Sequence, residues 1–325
     1  MISPKPLPNP FPPELKKIGI VSPSSPSDPE TFERSRLLLE QMGLELTLGK
    51  HVLSGASESF FAAENEERQE DLNALIEEGS LPLILAARGG YGSAYLLEKL
   101  NYDALRQQRK ILCGYSDITA LHLAMTKYEA GICVNSPMFT NLAAHLSQVA
   151  AAKSMKRALE RAWAMREGRE GKSMEYFTDL TRVASGRKDK DEDEDLTARV
   201  AALNLTLFTR LCGTGFLPSF RNWILILEEV GELPRKIDFS FLQLRLAGAL
   251  DHCKGIVLGD FTDCGNEKDL EKVFLRFAAN SSCPVWKGFP FGHGETTSSL
   301  VWGEKIRISG NGKVFLAGAE KWSIL

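Results

Sequence analysis

Short, wholly apolar runs, each followed by a glycine- or serine-rich loop and then by helical periodicity, constrain this chain more than any other feature. The clearest run is 81–87, L-P-L-I-L-A-A. An uninterrupted apolar run of that length is what a strand covered on both faces requires. Residues 17–21 (K-I-G-I-V), 110–113 and 132–135 repeat the pattern in shorter form. Between them, 31–42 places Phe32, Leu38, Leu39 and Met42 on one broad helical face and stops at Gly43, the residue type that ends helices in a left-handed conformation. Residues 44–48 alternate as a strand, and 64–78 predicts a helix that turns Leu72, Leu75 and Ile76 inward. Residues 93–100, 118–128 and most of 142–165 also read as helices. Strand–helix alternation of this kind predicts a doubly wound α/β layer over residues 16–165.

The length of 325 residues leaves room for a second domain. Residues 166–199 read as a connecting segment holding the charge run 187–195, R-K-D-K-D-E-D-E-D. Such a run is the pattern of a solvated loop; its carboxylates could bind a hard cation, but the glycine and terminal glutamate of an EF-hand are missing. Residues 200–325 read as a mixed domain. The apolar stretch 200–211 is expected as helix, and 223–227 (W-I-L-I-L) as a buried strand closed by Glu228 and Glu229, of which at least one should face a cleft or solvent. Helices are expected over 239–249 and 270–279, and strands over 255–259 and 284–289. The Asn-Gly turn in 309–312, between two apolar runs, predicts a hairpin.

Composition narrows the function. Lys+Arg 39 against Asp+Glu 42 leaves a net charge of -3, so a chain-wide basic footprint for nucleic acid is absent. No apolar run reaches the roughly 20 residues that span a bilayer. Residues 1–13 carry six prolines and lack the basic and apolar regions of a secretory signal; residues 1–15 are expected as a poorly ordered arm, and the location as cytoplasmic. Six cysteines are scattered with no C-x-x-C pair, the pattern of free, buried thiols.

Three places could carry chemistry, all where predicted strands end, which is where open α/β sheets bind ligands. In the turn Gly114-Tyr115-Ser116-Asp117 a strand runs into a serine and then a helix. That setting exposes a hydroxyl beside helix N-terminal amides, as in a nucleophile elbow, although Ile118 stands where the full motif has glycine and a serine there could simply cap the helix. The loop Arg88-Gly89-Gly90-Tyr91-Gly92 could cradle an oxyanion or a phosphate, or could be a tight connection; it lacks the P-loop lysine. Third come Glu228-Glu229 and His293, which lies between Gly292 and Gly294. A serine nucleophile needs a base, and the base needs an orienting carboxylate. Ser116, Glu228 and His293 supply these in an order known for such triads.

These segments, with 135–138 (N-S-P-M) and 68–75 (R-Q-E-D-L-N-A-L), resemble the LD-carboxypeptidases, serine peptidases that include muramoyltetrapeptide carboxypeptidase and the microcin C immunity peptidase. The likeness covers most of residues 16–320. It implies an N-terminal flavodoxin-like domain and a C-terminal β-rich, swivelling α/β domain. It also implies Ser116 as nucleophile, Glu228 rather than Glu229 as triad carboxylate, His293 as base, and the backbone N–H groups of Gly90 and Asp117 as oxyanion hole. It further implies a homodimer that needs no metal or organic cofactor and releases terminal D-alanine from murein tetrapeptides. Cleavage of aminoacyl-nucleotides, which would need an aromatic surface from residues such as Trp223, Trp286 and Trp302, is the alternative; a non-catalytic ligand-binding relative is another. Arg88 and Arg235 are conceivable partners for the substrate carboxylate. The chain departs from the family in carrying Ala202-Leu203-Asn204-Leu205 where a G-G-N-L segment is usual, and in lacking a proline within 296–303.

Overall fold

The computed structural model describes residues 7–55, 60–169, 175–184, 195–295 and 297–316. The chain divides into two compact units, with the break between Glu167 and Gly168; Ser298–Leu300 return to the first.

The first unit runs β1 (Lys17–Val21), α1 (Pro29–Gln41), β2 (Glu45–Leu48), α2 (Asn65–Glu77), β3 (Leu83–Ala86), α3 (Tyr102–Gln107), β4 (Ile111–Cys113), α4 (Thr119–Lys127), β5 (Ile132–Asn135), α5 (Leu142–Leu146) and α6 (Val149–Arg166). A 3-10 turn over Ser93–Lys99 follows the glycine loop. Strands β2-β1-β3-β4-β5 lie side by side and pair in parallel. This is the flavodoxin-like order, in which the chain reverses direction of travel between β1 and β3 and opens a crevice beyond the strand ends. The strands are short and apolar because both faces are covered: every residue of β3, β4 and β5 is buried. Asp28 caps α1 by accepting the Thr31 N–H at 2.8 Å, and Leu72, Leu75 and Ile76 are inward on α2 as their spacing predicts.

Beyond the break the chain forms β6 (Glu175–Asp179), β7 (Thr181–Arg182), β8 (Leu196–Asn204), α7 (Leu205–Arg210), β9 (Trp223–Val230), α8 (Pro234–Leu246), β10 (Gly255–Thr262), α9 (Glu267–Asn280), β11 (Val285–Lys287), β12 (Leu300–Val301), β13 (Lys305–Ile308) and β14 (Lys313–Leu316). Eight of these strands form one mixed sheet, β6-β14-β13-β8-β9-β10-β11-β7. Its centre, β8-β9-β10-β11, is parallel, and its flanks are antiparallel. β12 instead lies beside β5 at the edge of the first sheet. The hairpin β13–β14 turns at the predicted Asn-Gly.

Four expectations need correction. The stretch 200–211 is not one helix. Its first half is the end of β8, and the helix begins only after Asn204, whose side chain accepts the Leu207 N–H at 3.1 Å as an N-cap. The connecting segment is not merely a linker, since β6 and β7 belong to the second sheet; the charge run lies, but for Asp195, outside the described residues. Residues 7–15 are no loose arm: Phe11 and Leu15 are buried, because their apolar surface finds cover in the first unit. Finally, neither Glu228 nor Glu229 is exposed to solvent, at 0% and 3%. Of the six cysteines, all free, Cys212 and Cys283 are partly exposed and the rest buried.

Candidate active site

In the first unit three loops converge beyond the ends of β1, β3 and β4. Ser116 follows Gly114 and Tyr115 directly after β4 and opens a single 3-10 turn that leads into α4. Its φ is +61°, a left-handed conformation that costs a non-glycine residue on the order of 1–2 kcal/mol. Such strain at a half-buried hydroxyl ahead of a helix is the geometry of a nucleophile elbow. A Cβ on Gly89 would stand 3.1 Å from Ser116 Cβ and 3.3 Å from its Oγ, so a larger residue there would crowd the serine by a few tenths of an ångström. Gly90 has φ +109°, and a Cβ there would come within 2.3 Å of Ser25 Oγ.

The loops are tied by side chains whose partners are far apart in sequence. Asp117 is 2% exposed; its carboxylate accepts from Ser24 Oγ at 2.6 Å and from the Ser93 N–H at 2.8 Å. Its carbonyl accepts from Ser93 Oγ at 2.6 Å. Asp117 thus joins the loops after β1, β3 and β4. Ser25 accepts from the Tyr91 N–H at 3.1 Å and donates to the Phe60 carbonyl at 2.9 Å. Arg68, fully buried, donates to the carbonyls of Pro23 and Gly92. The amides of Gly90 and Asp117 are therefore held by a satisfied polar network, which rigidifies what it connects.

In the second unit, Glu228 stands near the C-terminal end of β9 with no solvent exposure. Its Oε2 lies 2.8 Å from His293 Nδ1, and its Oε1 accepts from Asn204 Nδ2 at 3.0 Å. The same Asn204 nitrogen reaches Glu229 Oε1 at 3.1 Å. Glu229 Oε2 takes the Thr206 N–H at 2.9 Å and the Thr206 hydroxyl at 2.6 Å. Two buried acids side by side are tolerable because each is hydrogen-bonded. The contact to His293 distinguishes Glu228 from Glu229 as the residue that orients an imidazole.

Burial pushes the Glu228 carboxyl up, opposed by the His293 imidazole and the Asn204 amide. Burial depresses His293, but the hydrogen bond and charge of Glu228 outweigh it and leave the imidazole above its ordinary value. Asp260, on β10, is pushed up to about 6 by burial and by the Glu228 charge.

Ser116, Gly90 and Asp117 thus come together in the first unit, and Glu228 and His293 in the second. The other histidines fare differently. His122 is wholly buried with Nε2 3.1 Å from the Leu112 carbonyl, and His145 Nδ1 lies 3.0 Å from the Asn141 carbonyl. His51 does carry a carboxylate on Nδ1, Asp71 at 3.0 Å, but it follows β2, three strands from β4. At about 4.8 Å per strand that is roughly 14 Å from the Ser116 turn, beyond a base's reach of about 3 Å. Trp223, Trp286 and Trp302 are 6%, 5% and 4% exposed; they pack, with Phe220 on Trp223 and Trp302 and Arg182 over Trp286, and offer no open surface for an adenine. Arg88 donates to the Pro26 carbonyl at 2.8 Å, and Arg235 is exposed on α8. Sequence reasoning missed Ser24, Ser25 and Ser93, whose importance comes only from distant partners, and the dual role of Asn204. Among the described residues no group of three or more His, Cys, Asp or Glu is arranged to hold a metal, and no helix is long and apolar enough to cross a membrane.

Known proteins share this architecture. A putative carboxypeptidase of Synechocystis is 30% identical over 78% of each chain. The murein tetrapeptide carboxypeptidase of Pseudomonas aeruginosa is 27% identical over 91% of this chain and 94% of its own. The probable murein peptide carboxypeptidase of Bacillus subtilis is 27% identical over 90% and 88%. Among solved structures, the muramoyltetrapeptide carboxypeptidase of Oxalobacter formigenes superposes with a TM-score of 0.76 at 22% identity, covering 95% of this chain and 100% of that one. MccF in complex with glutamyl sulfamoyl guanosine gives 0.75 at 21% identity, covering 95% and 97%. Residues 18–134 match the LD-carboxypeptidase N-terminal domain and residues 197–308 the LD-carboxypeptidase C-terminal domain, and the chain belongs to the LD-carboxypeptidase family of serine peptidases.

Proposed function

We propose that the protein is a serine LD-carboxypeptidase that releases the terminal D-alanine of murein tetrapeptides, with Ser116, His293 and Glu228 as its catalytic residues. The observation that carries this reading is the 2.8 Å hydrogen bond between His293 Nδ1 and a carboxylate with no solvent exposure. A buried acid on Nδ1 fixes the tautomer that leaves Nε2 as proton acceptor and steadies the imidazolium. Ser116 Oγ attacks the carbonyl carbon of the scissile amide while its proton passes to His293 Nε2. The oxyanion is met by the amides of Gly90 and Asp117; loss of one such donor typically costs about 3–4 kcal/mol. The intermediate collapses, the C–N bond breaks, and His293 returns the proton to the departing amine. A water then attacks the acyl-serine by the same route in reverse and frees the tripeptide. Action in the cytoplasm, in cell-wall recycling, and as a homodimer belongs to the same proposal.

The test is incubation of purified protein with L-Ala-D-Glu-meso-diaminopimelate-D-Ala, read by mass spectrometry. The wild type should release one D-alanine and Ser116→Ala none, while His51→Ala keeps turnover. Release by Ser116→Ala would refute the nucleophile. No release, with Ser116 labelled by a fluorophosphonate, would move the substrate to aminoacyl-nucleotides. Neither release nor labelling would leave a binding protein.

A further inference from the structure

In the loop that carries His293 a glycine stands on either side of the histidine, and one residue, Asp260, lies against both. Asp260 sits at an irregularity of β10, where the pairing with β9 shifts between Leu258 and Phe261. Its own N–H donates to the Phe291 carbonyl at 2.8 Å, two residues before His293. Its carboxylate accepts the Gly294 N–H, one residue after. A Cβ on Gly292 would lie 2.9 Å from Asp260 Cβ, and a Cβ on Gly294 would lie 2.7 Å from Asp260 Oδ2. The glycines are therefore the residues that let the loop close on Asp260 from both sides. We propose that Asp260 is a positioning residue that clamps the Gly292-His293-Gly294 loop at two points and adds its negative charge to those of Glu228 and Glu229 beside the base.

The clamp acts through the main chain, so it sets where the imidazole stands, while Glu228 sets how it is turned. The groups that face Asp260 are Glu228 on β9 and His293 on the loop; Glu229, the next residue of β9, adds its charge to His293. Glu228 raises the carboxyl of Asp260, and Asp260 in turn favours the protonated imidazole. The acid limb of the rate profile then belongs to the three groups together rather than to His293 alone. The inference rests on His293 being the base, the role proposed above.

Two variants of the full chain separate geometry from charge. Asp260→Asn keeps an oxygen that can accept the Gly294 N–H and removes the charge. Asp260→Ala removes both. Titration of the His293 ring by NMR should move to lower pH in Asp260→Asn, with kcat on the murein tetrapeptide within about tenfold of wild type. Asp260→Ala should lose roughly 10²-fold in kcat, the scale of a small misplacement of a catalytic group, with KM little changed. An unmoved His293 titration in Asp260→Asn, or full kcat in Asp260→Ala, overturns the proposal. Should the wild type itself leave the tetrapeptide intact, the substrate reading fails and the NMR comparison still decides the clamp: a moved titration supports it and an unmoved one overturns it.

Discussion

Replacing Glu228 with glutamine changes one atom in a fully buried hydrogen-bond chain, and no orientation of the new amide keeps both the hydrogen bonds and the catalytic tautomer of His293. If its oxygen stays against Asn204 Nδ2, at the 3.0 Å now held by Oε1, its NH2 faces His293 Nδ1. The imidazole must then present Nδ1 as acceptor and carry its proton on Nε2, where it cannot take one from Ser116. If the amide turns over, two NH2 groups oppose each other at Asn204. The first arrangement leaves all hydrogen bonds made, so the fold survives while the tautomer is wrong. In a well-studied serine protease the equivalent change costs about 10⁴-fold in kcat, which is roughly 5 kcal/mol of transition-state stabilisation at 1.36 per tenfold. The same loss is expected here. D-alanine release under saturating tetrapeptide measures it, with thermal unfolding alongside. The melting temperature should hold, because a desolvated charge has been removed rather than a contact. A variant that keeps more than a tenth of wild-type kcat would refute the orienting role of Glu228, and a collapse of the fold would refute the claim that the amide is accommodated.

Two further outcomes follow from geometry. Ser116→Gly and Ser116→Ala should both be inactive, yet the glycine variant should unfold at about 1 kcal/mol higher free energy, because the φ of +61° strains alanine and not glycine; equal stabilities in denaturant titration would contradict the strain. His122 is held neutral by complete burial, its value pushed down to about 4 from 6.5. Its folded value lies below its unfolded one, so stability is full above pH 6.5 and falls as pH drops toward 4, by up to roughly 3 kcal/mol. His122→Gln should flatten that slope in urea titrations across this range, and an unchanged slope would assign the acid sensitivity elsewhere.

Much of the first unit was legible because its strands are covered on both faces and carry the signal in composition alone. β1, β3, β4 and β5 fall within a residue or two of the apolar runs that predict them. The stretch 200–211 was not legible, since a buried strand running straight into a buried helix shows no change of period. Only Asn204 marks the joint, through a cap seen in the structure. At the candidate site, Ser116 and His293 stand out locally, being placed in glycine-containing turns, whereas the choice of Glu228 over Glu229 came from the resemblance and not from spacing. Asp260 follows a glycine at the end of an apolar run and looks like any solvated turn; its role depends on Phe291 and Gly294, some 30 residues on, and local pattern carries no such information.

The return of Ser298–Leu300 to the first unit has a consequence for the protein as it leaves the ribosome. β5 is complete by Asn135, but its outer neighbour β12 is about 165 residues further along. At roughly 5–20 residues per second, the nascent first sheet waits on the order of ten seconds or more with that hydrogen-bonding edge open. An open edge is a template for stray pairing. The sheet that leads into the Ser116 turn is therefore closed at this edge only once residue 300 has been made, after nearly all of the second unit.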